Sequence, residues 1–132
     1  MTQITGTYHM TDWKETPLRE LTPPQKCSSV TAPGNFVGPL EGEGQTFYLL
    51  NYVTEKTGLF SGYTFFKGKI GELEGSFVLA DDGTFDTVAA RTKWTIVQNS
   101  GTGDFDGISG TGGFAATEGL KVTYDLDYQL PS

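Results

Sequence analysis

Leu120-Lys121-Val122-Thr123-Tyr124-Asp125-Leu126-Asp127-Tyr128-Gln129 alternates without a break. Leu120, Val122, Tyr124, Leu126 and Tyr128 make up one set, and Lys121, Thr123, Asp125, Asp127 and Gln129 the other. Successive side chains of a strand point to opposite faces, so this pattern predicts a strand with one dry and one wet face. The chain opens in the same way, with Ile4, Tyr8 and Met10 set against Thr5, Thr7, His9 and Thr11. Composition agrees with strands at both ends. The 132 residues include 18 Gly, nine Phe, six Tyr and two Trp. Glycine costs about 1 kcal/mol relative to alanine inside a helix, so bulky rings combined with so much glycine disfavour a helical bundle and predict an all-β chain.

Working inward, strands are predicted over 26–37, 41–53, 58–70, 73–82, 84–98 and 110–117. Gly38-Pro39 and Asp81-Asp82-Gly83 read as corners, Pro33-Gly34 as a bulge or kink, and Gly101–Gly113 as a tight hairpin. The stretch Thr16-Pro17-Leu18-Arg19-Glu20-Leu21-Thr22-Pro23-Pro24 reads as a crossing loop, because proline donates nothing to a ladder. Eight antiparallel strands with short connections suit an up-and-down meander closed into a barrel, one domain over 1–132. At eight strands the interior is either filled by side chains or just able to hold one small ligand.

Two strands are apolar on both faces. Around 41–53, Phe47 and Leu49 alternate with Tyr48, Leu50 and Tyr52; around 58–70, Phe60 and Phe66 alternate with Leu59, Tyr63 and Phe65. Apolar side chains on both faces ask for cover on both, either from the proline-rich loop or from an oligomer contact, and self-association through these two strands is the expectation preferred.

No apolar run reaches the roughly 18 residues of a membrane helix, and the N-terminus carries no secretory-signal pattern, so a cytoplasmic location is expected. Cys27 is the only cysteine, which excludes an internal disulfide and a thiolate-rich metal site within one chain. A net charge of −7 opposes nucleic-acid binding. Gly110-Thr111-Gly112-Gly113-Phe114-Ala115 fits a permissive dinucleotide fingerprint, but a strand follows it where pyrophosphate recognition needs a helix. There is no Walker loop and no Gly-x-Ser-x-Gly elbow, and the acids near Gly101–Gly113 do not follow a calcium-loop order. His9 is the sole histidine and lies on a polar set, where a solvated imidazole is expected. The pairs Glu41/Glu43, Glu72/Glu74 and Asp125/Asp127 read as wet-face acids, with Glu43 alone retained as a weak acid/base candidate.

The segments 41–44, 48–52, 75–79, 94–97, 100–103, 110–114 and 124–128, in this order and at this spacing, resemble a small bacterial family called domain of unknown function 3224. The resemblance implies an allene oxide cyclase-like (calycin-like) barrel, in agreement with the periodicity. It also implies a cofactor-independent isomerase or cyclase as one candidate activity. No catalytic residue carries over, and Thr64-Phe65 stands where many relatives show Glu-Arg.

Three expectations follow. The first is a small apolar ligand bound inside the barrel by Tyr8, Tyr48, Trp94 and Tyr124, whose rings fall on inward sets and carry polar tips. The second is a solid-cored homo-oligomer, and the third is the isomerase. No metal and no cofactor are expected in any of them.

Overall fold

A computed structural model of the chain describes residues 1–117 and 119–131. Ten strands form one antiparallel sheet: β1 (Thr2–Met10), β2 (Lys14–Glu20), β3 (Lys26–Val37), β4 (Leu40–Tyr52), β5 (Gly58–Ile70), β6 (Leu73–Phe85), β7 (Ala90–Ile96), β8 (Thr102–Gly103), β9 (Ser109–Ala116) and β10 (Lys121–Gln129). Their order is β1-β10-β9-β7-β6-β5-β4-β3-β2, and a second pairing of β1 with β3 closes the ring. Eight strands make the barrel, with β2 and β8 added to it. The alternation that predicted β10 is realised along the strand: Val122, Tyr124, Leu126 and Tyr128 are buried and Lys121, Thr123 and Asp125 exposed. No helix among the described residues is long and apolar enough to cross a membrane.

The added strands correct two expectations. The proline-bearing segment is not a crossing loop: β2 pairs with β3, and the register shifts between Pro17 and Arg19. A strand at a sheet edge tolerates the missing N–H, and a bulge absorbs it. Every residue of β2 is exposed, so it carries no dry face to betray it in the sequence. Pro33-Gly34 makes no bulge either, since both residues keep register with β4. Pro33 lies between the β2 and β1 ladders on β3, and Gly34 leaves room for a ring: a Cβ there would come 2.7 Å from Tyr8.

The Gly101–Gly113 region is not a tight hairpin. The chain between β7 and β9 folds back under the barrel and buries Phe105 and Ile108 completely or nearly so. Phe105 stacks edge-on against Phe77 at 5.4 Å and closes that end of the core. Along the same segment, Asp104, Thr102 and Ser100 accept from the backbone N–H groups of Glu74, Ser76 and Val78. Alternate side chains of the loop thus satisfy the β6 edge where β7 does not reach it.

The Asp81-Asp82-Gly83 corner is also absent. β6 runs through it unbroken, and the turn falls at Asp86–Ala89, where the Asp86 carboxylate accepts from the N–H groups of Val88 and Ala89. This shift by a few residues turns Asp81 from a loop residue into an inward-facing one.

Candidate functional site at the barrel mouth

The barrel is filled at one end and open at the other. In the filled half, Tyr8 stacks on Phe36 at 4.2 Å, Phe36 meets Phe66 edge-on at 5.1 Å, and Phe66 and Phe77 lean together at 5.0 Å. Glycines make this density reachable, since a Cβ on Gly44 would come 2.6 Å from Tyr8 and 2.7 Å from Phe36.

At the open end a cavity of about 250 Å³ enters the barrel. Its walls are Met10, Leu50, Phe60, Phe114 and Leu120, with Ala90 and Ala116 leaving the space between them. Trp13, on the chain between β1 and β2, meets Tyr48 edge-on at 6.4 Å, and Tyr52 meets Phe85 at 5.0 Å across the rim. Glu15 supplies the charged group among the described lining residues. Its Oε2 accepts from Ser28 Oγ and Tyr52 Oη, both at 2.7 Å. Desolvation pushes the Glu15 carboxyl up, but the donors Tyr52, Ser28 and Trp13, with Lys26 nearby, outweigh it and hold the group below the usual glutamate range.

Below the cavity lies a buried polar layer centred on Asp81. Trp94 Nε1 donates to Oδ2 at 2.8 Å, Tyr48 Oη at 2.9 Å and Thr92 Oγ1 at 3.2 Å, while Thr64 Oγ1 donates to Oδ1 at 2.9 Å. The layer continues from Thr64 to Thr46 and from Thr46 to Tyr8. Removal from water pushes the Asp81 carboxyl up to about 6, and the four donors restrain that rise. Burial and the Asp81 charge raise Tyr48 well above the ordinary phenol range.

Comparison with known proteins matches this architecture. The family described as a protein of unknown function (DUF3224) aligns with residues 4–128. The chain belongs to the DUF3224 family. A crystal structure at 1.84 Å resolution of a DUF3224 protein of unknown function from Shewanella oneidensis MR-1 superposes with a TM-score of 0.79. That protein is 24% identical over 100% of this chain and 99% of its own, a likeness that shows the shared fold. None of the curated proteins compared matches the chain.

In this DUF3224 barrel the four rings expected to bind a ligand are all buried and inward, but they do not share one space. Tyr48 lines the cavity. Trp94 lies one layer deeper, bonded to Asp81, and Tyr8 is deeper still, bonded to Thr46. Tyr124 packs over Gly6; among the described residues its hydroxyl has no hydrogen-bond partner of good geometry, although the Leu40 backbone is turned towards it. The histidine and the acid candidates below lie outside the core. His9 is exposed, Glu43 is exposed on the outer face beside Phe47 and Leu49, and Asp125 is exposed. Among the described residues no group of three or more His, Cys, Asp or Glu side chains is placed to hold a metal ion.

Sequence reasoning missed Asp81, Glu15 and Trp13. Asp81 was hidden by its turn-like neighbours Asp82 and Gly83, and a signal existed: the phase of Phe77 and Leu79 on β6 carries forward to position 81. Glu15 and Trp13 had no local signal, because their facing depends on how the chain leaves β1 and crosses the mouth.

Proposed function

We propose that this protein binds a small, largely apolar molecule in the mouth of its barrel. The observation that carries the reading is the cavity of about 250 Å³, walled by apolar side chains and set above a satisfied polar layer. A cavity of about 150 Å³ lined by such residues holds benzene, so this one has room for about ten non-hydrogen atoms. Micromolar affinity, about −8 kcal/mol, then asks for about 0.8 kcal/mol per atom, inside the known bounds for small ligands. The test is an NMR titration with indole. Amide shifts confined to the strand ends around Leu50, Phe60 and Ala90 support the reading, and their loss in Ala90→Trp, which fills the space, locates the site. Indole shifts that persist unchanged in Ala90→Trp defeat it.

An isomerase would need an acid or base in reach of the bound molecule. Glu15 and Tyr48 are ionisable groups on the cavity wall, but Glu15 is held below the usual glutamate range and so is a weak base, and Tyr48 is raised well above the ordinary phenol range and so is a weak acid, which gives binding precedence.

A second reading, self-association, rests on the outer face of β4 and β5. Phe47, Leu49, Leu59, Tyr63 and Phe65 are each roughly half exposed there, with Phe47 and Phe65 edge-on at 5.8 Å. A groove of about 480 Å³ runs between Leu49, Phe47 and Tyr63, a shape that a second copy's rings can enter. Native mass spectrometry of freshly purified protein tests both readings together, since it reports subunit count and retained ligand.

A further inference from the structure

Resting on the cavity reading above, we propose that the mouth selects an organic cation: an ammonium group carried on an apolar body of about ten non-hydrogen atoms. Three independent features of the molecule converge on this class.

The first is the nature of the walls. Trp13, Tyr48, Tyr52, Phe60, Phe85 and Phe114 all line the cavity, so an occupant meets aromatic rings on several sides. Ring faces attract a cation electrostatically while offering an anion nothing, and the attraction strengthens where water is displaced. The molecule already displays this contact at the rim, where the Lys26 ammonium lies 4.5 Å from the centre of the Tyr52 ring.

The second is the carboxylate. Glu15 is ionised at neutral pH and is pinned by Ser28 and Tyr52 through one oxygen, Oε2, while the Trp13 indole also turns a donor towards the carboxylate. An N–H donor entering the mouth finds a fixed acceptor whose position is already determined, without the entropy cost of ordering a free side chain. Lys26 faces the same carboxylate and weakens its field, but the two do not form an ion pair among those found between described residues, so the charge of Glu15 is not cancelled by direct contact.

The third is the long-range field. The chain carries a net charge of −7, which draws cations towards the surface and disfavours anions. The polar layer around Asp81 adds no competing site, because Asp81 is not in the lining of this cavity and both its oxygens already accept from Trp94, Tyr48, Thr92 and Thr64.

The test compares three probes of nearly equal size and different charge at neutral pH by isothermal titration calorimetry: 2-phenylethylammonium, 2-phenylethanol and phenylacetate. A cation–π contact and a partly exposed ion pair together are worth about tenfold in affinity. The ammonium is therefore expected to bind about tenfold more tightly than the alcohol, with phenylacetate weakest. Glu15→Gln, whose amide oxygen still accepts from Tyr52 and Ser28, is expected to bring the ammonium within about twofold of the alcohol and leave the alcohol unchanged. Added sodium chloride is expected to weaken the ammonium and not the alcohol, a measurement independent of any variant. Equal or tighter binding of the alcohol or of phenylacetate overturns cation selection and leaves the apolar cavity standing, and a tenfold preference unchanged by both Glu15→Gln and salt overturns the role of Glu15 in that selection. Failure of all three probes to bind overturns the cavity reading as well.

Discussion

Asp81 makes the stability of this barrel depend on pH in the direction opposite to that of a paired surface acid. Its carboxyl is held at about 6 against an ordinary value of 3.8. Between those two values the folded chain binds a proton that the unfolded chain does not, so stability rises as pH falls and is lost as pH rises through about 6. At about 1.4 kcal/mol per unit, the full effect is about 3 kcal/mol, and about 2.5 kcal/mol of it falls between about pH 7.5 and about pH 4. Asp81→Asn isolates this contribution. The amide oxygen can replace Oδ2 and keep the donors Trp94, Tyr48 and Thr92, while the amide nitrogen donates to Thr64, whose hydroxyl then turns to Thr46. The assay is urea denaturation of both proteins across this range. Glu15 and Asp86, held below their ordinary values, give both curves the usual loss in acid and cancel in the difference. The wild type is expected to gain about 2.5 kcal/mol on the variant as the pH is lowered. Parallel curves, or a gap that opens with the opposite sign, would show that the four donors and not desolvation control this carboxyl.

Other outcomes follow from the same contacts. Tyr48→Phe removes one donor from the buried Asp81 carboxylate and is expected to cost about 1.5–3 kcal/mol in urea denaturation at neutral pH, with a smaller loss below about pH 5, where Asp81 is protonated. Phe105→Ala empties the closed end of the core and is expected to cost about 3–5 kcal/mol, a loss that a merely surface-bound loop would not show. Gly44→Ala forces a Cβ against the Tyr8 and Phe36 rings and is expected to cost about 1–3 kcal/mol, read as a lowered thermal midpoint. Paired Phe47→Ser and Phe65→Ser substitutions on the outer face are expected to leave stability within about 1 kcal/mol and to reduce any self-association seen by light scattering.

What could be read in the sequence was whatever depends on a residue and its near neighbours along one strand. The alternation of 120–129 set the dry and wet faces of the last strand, and Phe47, Leu49, Leu59, Tyr63 and Phe65 were already marked as belonging to strands apolar on both faces. The barrel followed from the number and spacing of such segments, and the inward facing of Tyr8, Tyr48, Trp94 and Tyr124 followed from their phase. Only the closed barrel determined which of those rings share a space. Tyr48 reaches the cavity while Tyr8, Trp94 and Tyr124 lie in the filled part, because depth along the barrel axis is set by register between strands far apart in the chain. The same cause hid Asp81, whose four donors come from β4, β5 and β7 and outweigh the turn preference of Asp82-Gly83 beside it. It also hid Glu15, which rides an exposed edge strand with no dry face and gains its place at the mouth only from Ser28 and Tyr52 on neighbouring strands. Period-two patterning is a local property and survives in one dimension; a cavity and a buried carboxylate are made by long-range pairing, and exist only once the sheet has closed on itself.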